Sequence, residues 1–123
     1  DKNILMKIYE IIKIIMINYT LTIESVKYHK IEGSLQNVIK SISVRKVGKH
    51  SDGYQSEFWD RLDFDIPDES QFIPYEDITQ PMMLEWIDNH PSNFNVRSEE
   101  YISVAIQQQI DSNEVETTKL PYI

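Results

Sequence analysis

The sequence predicts an α+β fold: a small antiparallel sheet of three or more strands, covered by C-terminal helices and preceded by an amphipathic helix. Three observations carry this. A 3.6-residue apolar period runs from Ile4 to Ile17, a two-residue period takes over from Tyr19 to Phe64, and helical spacing returns after Thr79. At 123 residues the chain suits one domain with one core. We read it as an N-terminal helix or extension over 1–18, an α+β body over 19–111 and an extended C-terminal arm over 112–123.

In the first segment Ile4, Leu5, Ile8, Ile11, Ile12, Ile15 and Met16 share one face of a helix projected at ~100° per residue. Lys7, Glu10 and Lys13 lie opposite, with Met6, Ile14 and Ile17 among them. Charge interrupts the apolar run, so the segment fits neither a membrane span nor a signal peptide. It packs on its own domain, docks on a neighbouring subunit or lies on a membrane surface, and Ile4, Ile8, Ile11 and Ile15 are its candidate protein contacts. Met16 is a candidate alternative start, because the chain beyond it forms a complete unit.

The first strand is expected over Tyr19–Tyr28, with Tyr19, Leu21 and Ile23 on one face. Residues 31–37 read as a connection with turn chemistry at Gly33, and Val38 to Val47 as the second strand, with Val38, Ile42 and Val44 sharing a side. Residues 48–53 read as a hairpin loop on the strength of Asp52-Gly53. In the third strand, Tyr54 to Phe64, the residues Tyr54, Phe58, Leu62 and Phe64 face one way, and Gln55, Glu57, Arg61 and Asp63 the other. One apolar sheet face requires a covering layer, which the later helices supply.

The Ile66–Tyr75 segment, with two prolines and two aromatics, is expected to be tacked to the body. Thr79 caps a helix with Pro81 in its first turn, an apolar side of Met83, Leu84, Trp86 and Ile87, and a stop at Pro91. Ser98 is expected to open the last helix, with Glu99 and Glu100 against its N-terminal dipole and Ile102, Ala105, Ile106 and Ile110 recurring along it. The arm beyond Asp111 ends in an apolar plug, so Leu120, Pro121, Tyr122 and Ile123 complete the set of candidate protein contacts.

Charge is unevenly placed. Residues 54–123 hold three Lys/Arg against fifteen Asp/Glu, whereas residues 19–53 carry six against three. An acidic body repels a phosphate backbone, so nucleic acid is excluded as the expected partner. Such a chain can instead pair its basic part with acids of its own or of a neighbour.

Reactive constellations are scarce. The chain has no cysteine and only three glycines, which removes thiolate chemistry and disfavours a phosphate-cradling loop. His29, His50 and His90 lack chelate spacing and read as surface residues. The run Asp60, Asp63, Asp65, Asp68 and Glu69 lacks the mid-loop glycine of a calcium loop and reads as a solvated edge. Fifteen acids after Tyr54 single out no glycosidase pair. Trp59, Tyr54 and the acidic edge form an alternative, carbohydrate-binding reading. We expect no catalytic, metal-binding or cofactor-binding residue and no cofactor.

Several segments resemble a family of small structural proteins of tailed-bacteriophage virions whose individual function is unassigned. These are Tyr19-Thr-Leu-Thr, Gly33-Ser-Leu-Gln-Asn-Val-Ile39, Phe72-Ile-Pro-Tyr-Glu-Asp-Ile-Thr79 before a helix holding Glu85-Trp-Ile87, and Leu120-Pro-Tyr122. The resemblance covers about residues 19–123. It departs where Ile42 stands for a strand tryptophan and where the 48–53 loop differs. It implies a virion location and a structural role, in capsid decoration, neck or tail. It also implies multicopy or homo-oligomeric assembly with major capsid, neck or tail subunits; the acidic body and the charge-interrupted helix lead us to expect neither a nucleic-acid nor a membrane partner.

Overall fold

The computed structural model describes residues 2–32 and 35–114. Helix α1 spans Lys2–Ile15, strands β1 Ile17–Glu32, β2 Leu35–His50 and β3 Gln55–Asp63, and helices α2 Gln80–Asn89 and α3 Phe94–Glu114. Two short 3-10 turns, Glu69–Gln71 and Tyr75–Asp77, lie between β3 and α2. The strands form one antiparallel sheet in the order β1-β2-β3. The expected α+β class and its covering helices are therefore present.

The β1–β2 pair is longer than its periodicity suggested. Ile17 pairs with His50 and Glu32 with Leu35, so most of the expected 31–37 connection, and Gly48 to His50 of the expected hairpin loop, are strand. Two irregularities hid this. Glu24 is an extra residue on β1 between the Ile23–Val44 and Ser25–Ser43 pairs, and Lys40 is an extra residue on β2 between Ser41 and Ile39. Each bulge moves the apolar phase on by three positions instead of two, from Ile23 to Val26 and from Ile39 to Ile42. Consequently Ile39 rather than Val38 joins the cluster of Ile42 and Val44, although Val38 is buried as well.

Two apolar clusters sit between the sheet and the helices. Ile39, Ile42, Val44, Leu62, Ile87 and Phe94 form the first, with Phe64, Ile78, Met83 and Trp86 packed around it. Ile17, Ile102, Ile106 and Ile110 form the second, bordered by Tyr19, Tyr54 and Phe58. Ile17 was expected within the N-terminal helix. It instead begins β1 and is buried, because α1 ends at Ile15.

Thr79 caps α2 as the sequence indicated, its Oγ1 accepting from the Met82 N–H at 3.4 Å, with Pro81 in the first turn. Helix α3 begins at Phe94, four residues before the expected Ser98. Asn93 takes the left-handed conformation (φ 57°) that asparagine tolerates, and its carbonyl accepts the Arg97 N–H at 3.0 Å, so the turn after Pro91 leads straight into the helix. Ser98 is buried inside it, its Oγ donating to the Asn95 carbonyl at 3.1 Å. At the other end α3 continues to Glu114, so residues 112–114 are helix rather than the start of an extended arm.

Candidate contact surfaces

Helix α1 is amphipathic by sequence, but the body does not cover its first half. Ile4 is 58% exposed, Leu5 66% and Ile8 47%, and Met6 and Tyr9 are exposed as well. A helix of 14 residues gains most of its stability from packing an apolar face, and the first half of α1 leaves its apolar side chains in water. Ile11 and Ile15 belong to the same helix, and the placement of their side chains is not described. The remaining candidate contacts, Leu120, Pro121, Tyr122 and Ile123, lie outside the described residues.

At the end of the sheet where β3 leaves toward α2, the Ile66–Tyr75 segment folds over the first cluster and lines a half-open cavity of about 260 Å³. Phe64, Phe72, Ile73, Ile78 and Trp86 give it apolar walls, and Asp65 stands among them. Its volume lies below the ~300–1,000 Å³ of ordinary small-molecule pockets. Phe64 is wedged between Trp86, ring centroids 6.5 Å apart, and His90 at 5.0 Å. The sequence signalled a loop pinned by aromatics and prolines, but not the hollow it leaves.

The expected carbohydrate platform is not assembled. Trp59 is exposed on the outer sheet face, where the Arg45 guanidinium covers its ring at 5.1 Å and Glu57 accepts its Nε1–H at 3.0 Å. Tyr54 borders the second cluster on the helix side, its hydroxyl accepting from Asn113 Nδ2 at 2.9 Å. The sheet therefore separates the two aromatics. Of the acidic run, Asp60 accepts from Arg97 Nη2 at 2.6 Å and Asp63 meets Arg61 at 3.2 Å. Among the described residues no group of three His, Asp or Glu side chains is placed to hold a metal.

Two buried polar groups escaped the sequence reading. Lys46 follows Ile42 and Val44 in the inward phase of β2. Its Nζ donates to Asn95 Oδ1 at 2.5 Å and lies 3.7 Å from Glu99. Burial holds its pKa below the usual lysine value, against the opposing pull of Glu99. Tyr19 donates to the Glu99 carbonyl at 3.4 Å, and burial, with the Glu99 charge second, raises its pKa. His50, expected at the surface, is buried: Nδ1 accepts the Asp52 N–H at 3.1 Å, and Nε2 has no protein partner. His90 bridges the Asp63 carbonyl and Ser92, both at 2.7 Å, and so ties α2 to the end of β3.

The basic hairpin and the acidic remainder do meet within the chain. Arg45 meets Glu57 at 3.6 Å, and Lys46 meets Glu99 at 3.7 Å. No described helix is long and apolar enough to cross a membrane.

No curated protein and no solved structure matches the chain. One family model does match, over residues 16–122, from the residue at which α1 has ended almost to the last. By that match the chain belongs to the family described as a domain of unknown function, DUF7936.

Proposed function

We propose that this chain is a structural component of a tailed-phage virion, acting through protein–protein contacts and without enzymatic activity or a cofactor. The supporting observation is the row of exposed apolar side chains on α1, Ile4, Leu5 and Ile8. An apolar face of this kind is stable when a partner covers it, and the body of the chain leaves it open. The resemblance of Tyr19-Thr-Leu-Thr and Phe72-Ile-Pro-Tyr to virion proteins supplies the setting. In this reading the partners are major capsid, neck or tail subunits, and the chain is present in several copies. It binds neither nucleic acid nor membrane.

The test is incorporation into particles. Ile4→Lys together with Ile8→Lys places two charges on the α1 face while leaving both clusters untouched. Purified particles assembled with this variant should lack the chain by immunoblot, although its circular dichroism and melting temperature match those of the parent. Normal incorporation of the doubly charged variant would overturn the proposal.

A further inference from the structure

We infer that the Leu120-Pro121-Tyr122 segment of one copy fills the cavity beside Phe64 and Trp86 of a second copy, joining copies head to tail. The inference rests on the assembly reading above and names the partner: another molecule of the same chain.

The cavity comes first. At about 260 Å³, with Phe64, Phe72, Ile73, Ile78 and Trp86 around it, it is too small for most cofactors and ample for one or two apolar side chains. An apolar void of ~150 Å³ already accepts a benzene-sized group. Leucine followed by proline supplies two compact apolar groups, and tyrosine after them keeps a hydroxyl for the rim. Charge agrees: Lys119 precedes the plug, Asp65 lines the cavity, and Asp68 is exposed beside it.

Reach then decides between the chain's own cavity and a neighbour's. The C-terminal end of α3 lies beside the start of β3, where Gln109 Nε2 donates to the Gln55 carbonyl and Asn113 Nδ2 to the Tyr54 hydroxyl, both at 2.9 Å. The cavity lies at the other end of the same strand, at Phe64. At ~3.3 Å per residue, Gln55 and Phe64 are about 30 Å apart. From Glu114 to Leu120 even a fully extended chain covers only about 22 Å. Leu120 therefore falls short of its own cavity by more than two residues, whereas a neighbour approaching the α3 end can present its cavity at any distance. Donor and acceptor lie at opposite ends of the molecule. The contact is thus heterologous and propagates into a ring or a filament, the geometry of a multicopy part.

The experiment uses the full chain carrying Trp59→Phe, so that emission reports Trp86 alone. Leu120→Asp disables the arm and Ile73→Glu disables the cavity. Sedimentation should show the parent associating beyond a dimer with rising concentration, its Trp86 emission moving to the blue. Each variant alone should stay monomeric with a parental melting curve. An equimolar mixture, which retains one working arm and one working cavity, should form a dimer and nothing larger. Ile73→Gln replaces Ile73→Glu should the charged variant fail to fold. A mixture that remains monomeric overturns the inference, as does association unaffected by either variant. A Trp86 shift in the parent without any change in mass also overturns it, because it would place the arm in its own cavity. None of these outcomes depends on α1, so if the arm fails here while the Ile4→Lys/Ile8→Lys variant is still lost from particles, the function proposal stands.

Discussion

Gly48 lies on β2 against Ile102 of α3, and its missing side chain leaves the room that isoleucine occupies. A Cβ at this position would overlap Cγ2 of Ile102 and lie 3.1 Å from Ile17 Cγ2 and 3.3 Å from Tyr19 Cε1. Ile102 is fully buried in the second cluster and cannot swing into solvent, so α3 itself must move. Overpacking of this kind costs ~1–3 kcal/mol. We therefore expect Gly48→Ala to destabilise the fold by about 2 kcal/mol, near the middle of that range. For a domain of this size that corresponds to a drop of roughly 6–12 °C in melting temperature. Urea titration followed by circular dichroism measures it, and the m-value should stay constant because the same surface is exposed on unfolding. The mechanism has its own control. Leucine lacks the branch at Cβ that supplies Cγ2, so Ile102→Leu removes the offending methyl at nearly constant volume. Gly48→Ala with Ile102→Leu should then recover most of the loss, giving a coupling energy of about 1 kcal/mol or more. Full stability of Gly48→Ala, or strict additivity of the two changes, would refute the reasoning.

Three further outcomes are expected from the same packing. Phe94→Ala empties a fully buried site between Phe58 and Lys46 and should cost ~3–5 kcal/mol by denaturant titration. Thr79→Ala removes the α2 cap and should cost about 1 kcal/mol, with Thr79→Ser close to neutral. Lys46 has a lowered pKa in the folded chain, so between that value and about pH 10 the unfolded chain binds more protons and stability rises with pH. Above about pH 10 the raised Tyr19 value works in the opposite direction. Lys46→Met should flatten the rise below pH 10 while changing stability at pH 7 by less than about 1 kcal/mol, since Glu99 is partly exposed and rehydrates. Unfolding curves across pH 7–10 for both proteins check this.

The helix and strand types were legible from periodicity because period and burial agree over most of the chain. Thr79, Pro81 and Pro91 set the limits of α2 through local chemistry, which a sequence displays directly. The extent of β1 and β2 was less legible: Glu24 and Lys40 break the two-residue alternation, and a broken alternation resembles a strand end. The start of α3 was misplaced because Asn93 supplies the turn in an unusual backbone conformation, whereas Ser98 only imitates a cap. Burial of Lys46 and His50 depended on partners outside their own strand, Asn95 and Glu99 for the lysine and the 51–54 turn for the histidine. The cavity was illegible for the same reason, since its walls come from β2, the end of β3, the following loop and α2.

The two bulges carry one more implication. After the extra residue at Glu24 the pairing of β1 with β2 is offset by one, and the extra residue at Lys40 cancels the offset, so Glu32 still meets Leu35. Because each extra residue is unpaired, deleting either one alone removes its bulge and leaves every remaining pair, and the side each residue faces, unchanged. Deleting a paired residue elsewhere on β1 or β2 would instead slip the register beyond it and exchange its wet and dry sides. Single-residue length changes in this hairpin should therefore be tolerated first at 24 and 40, each independently of the other.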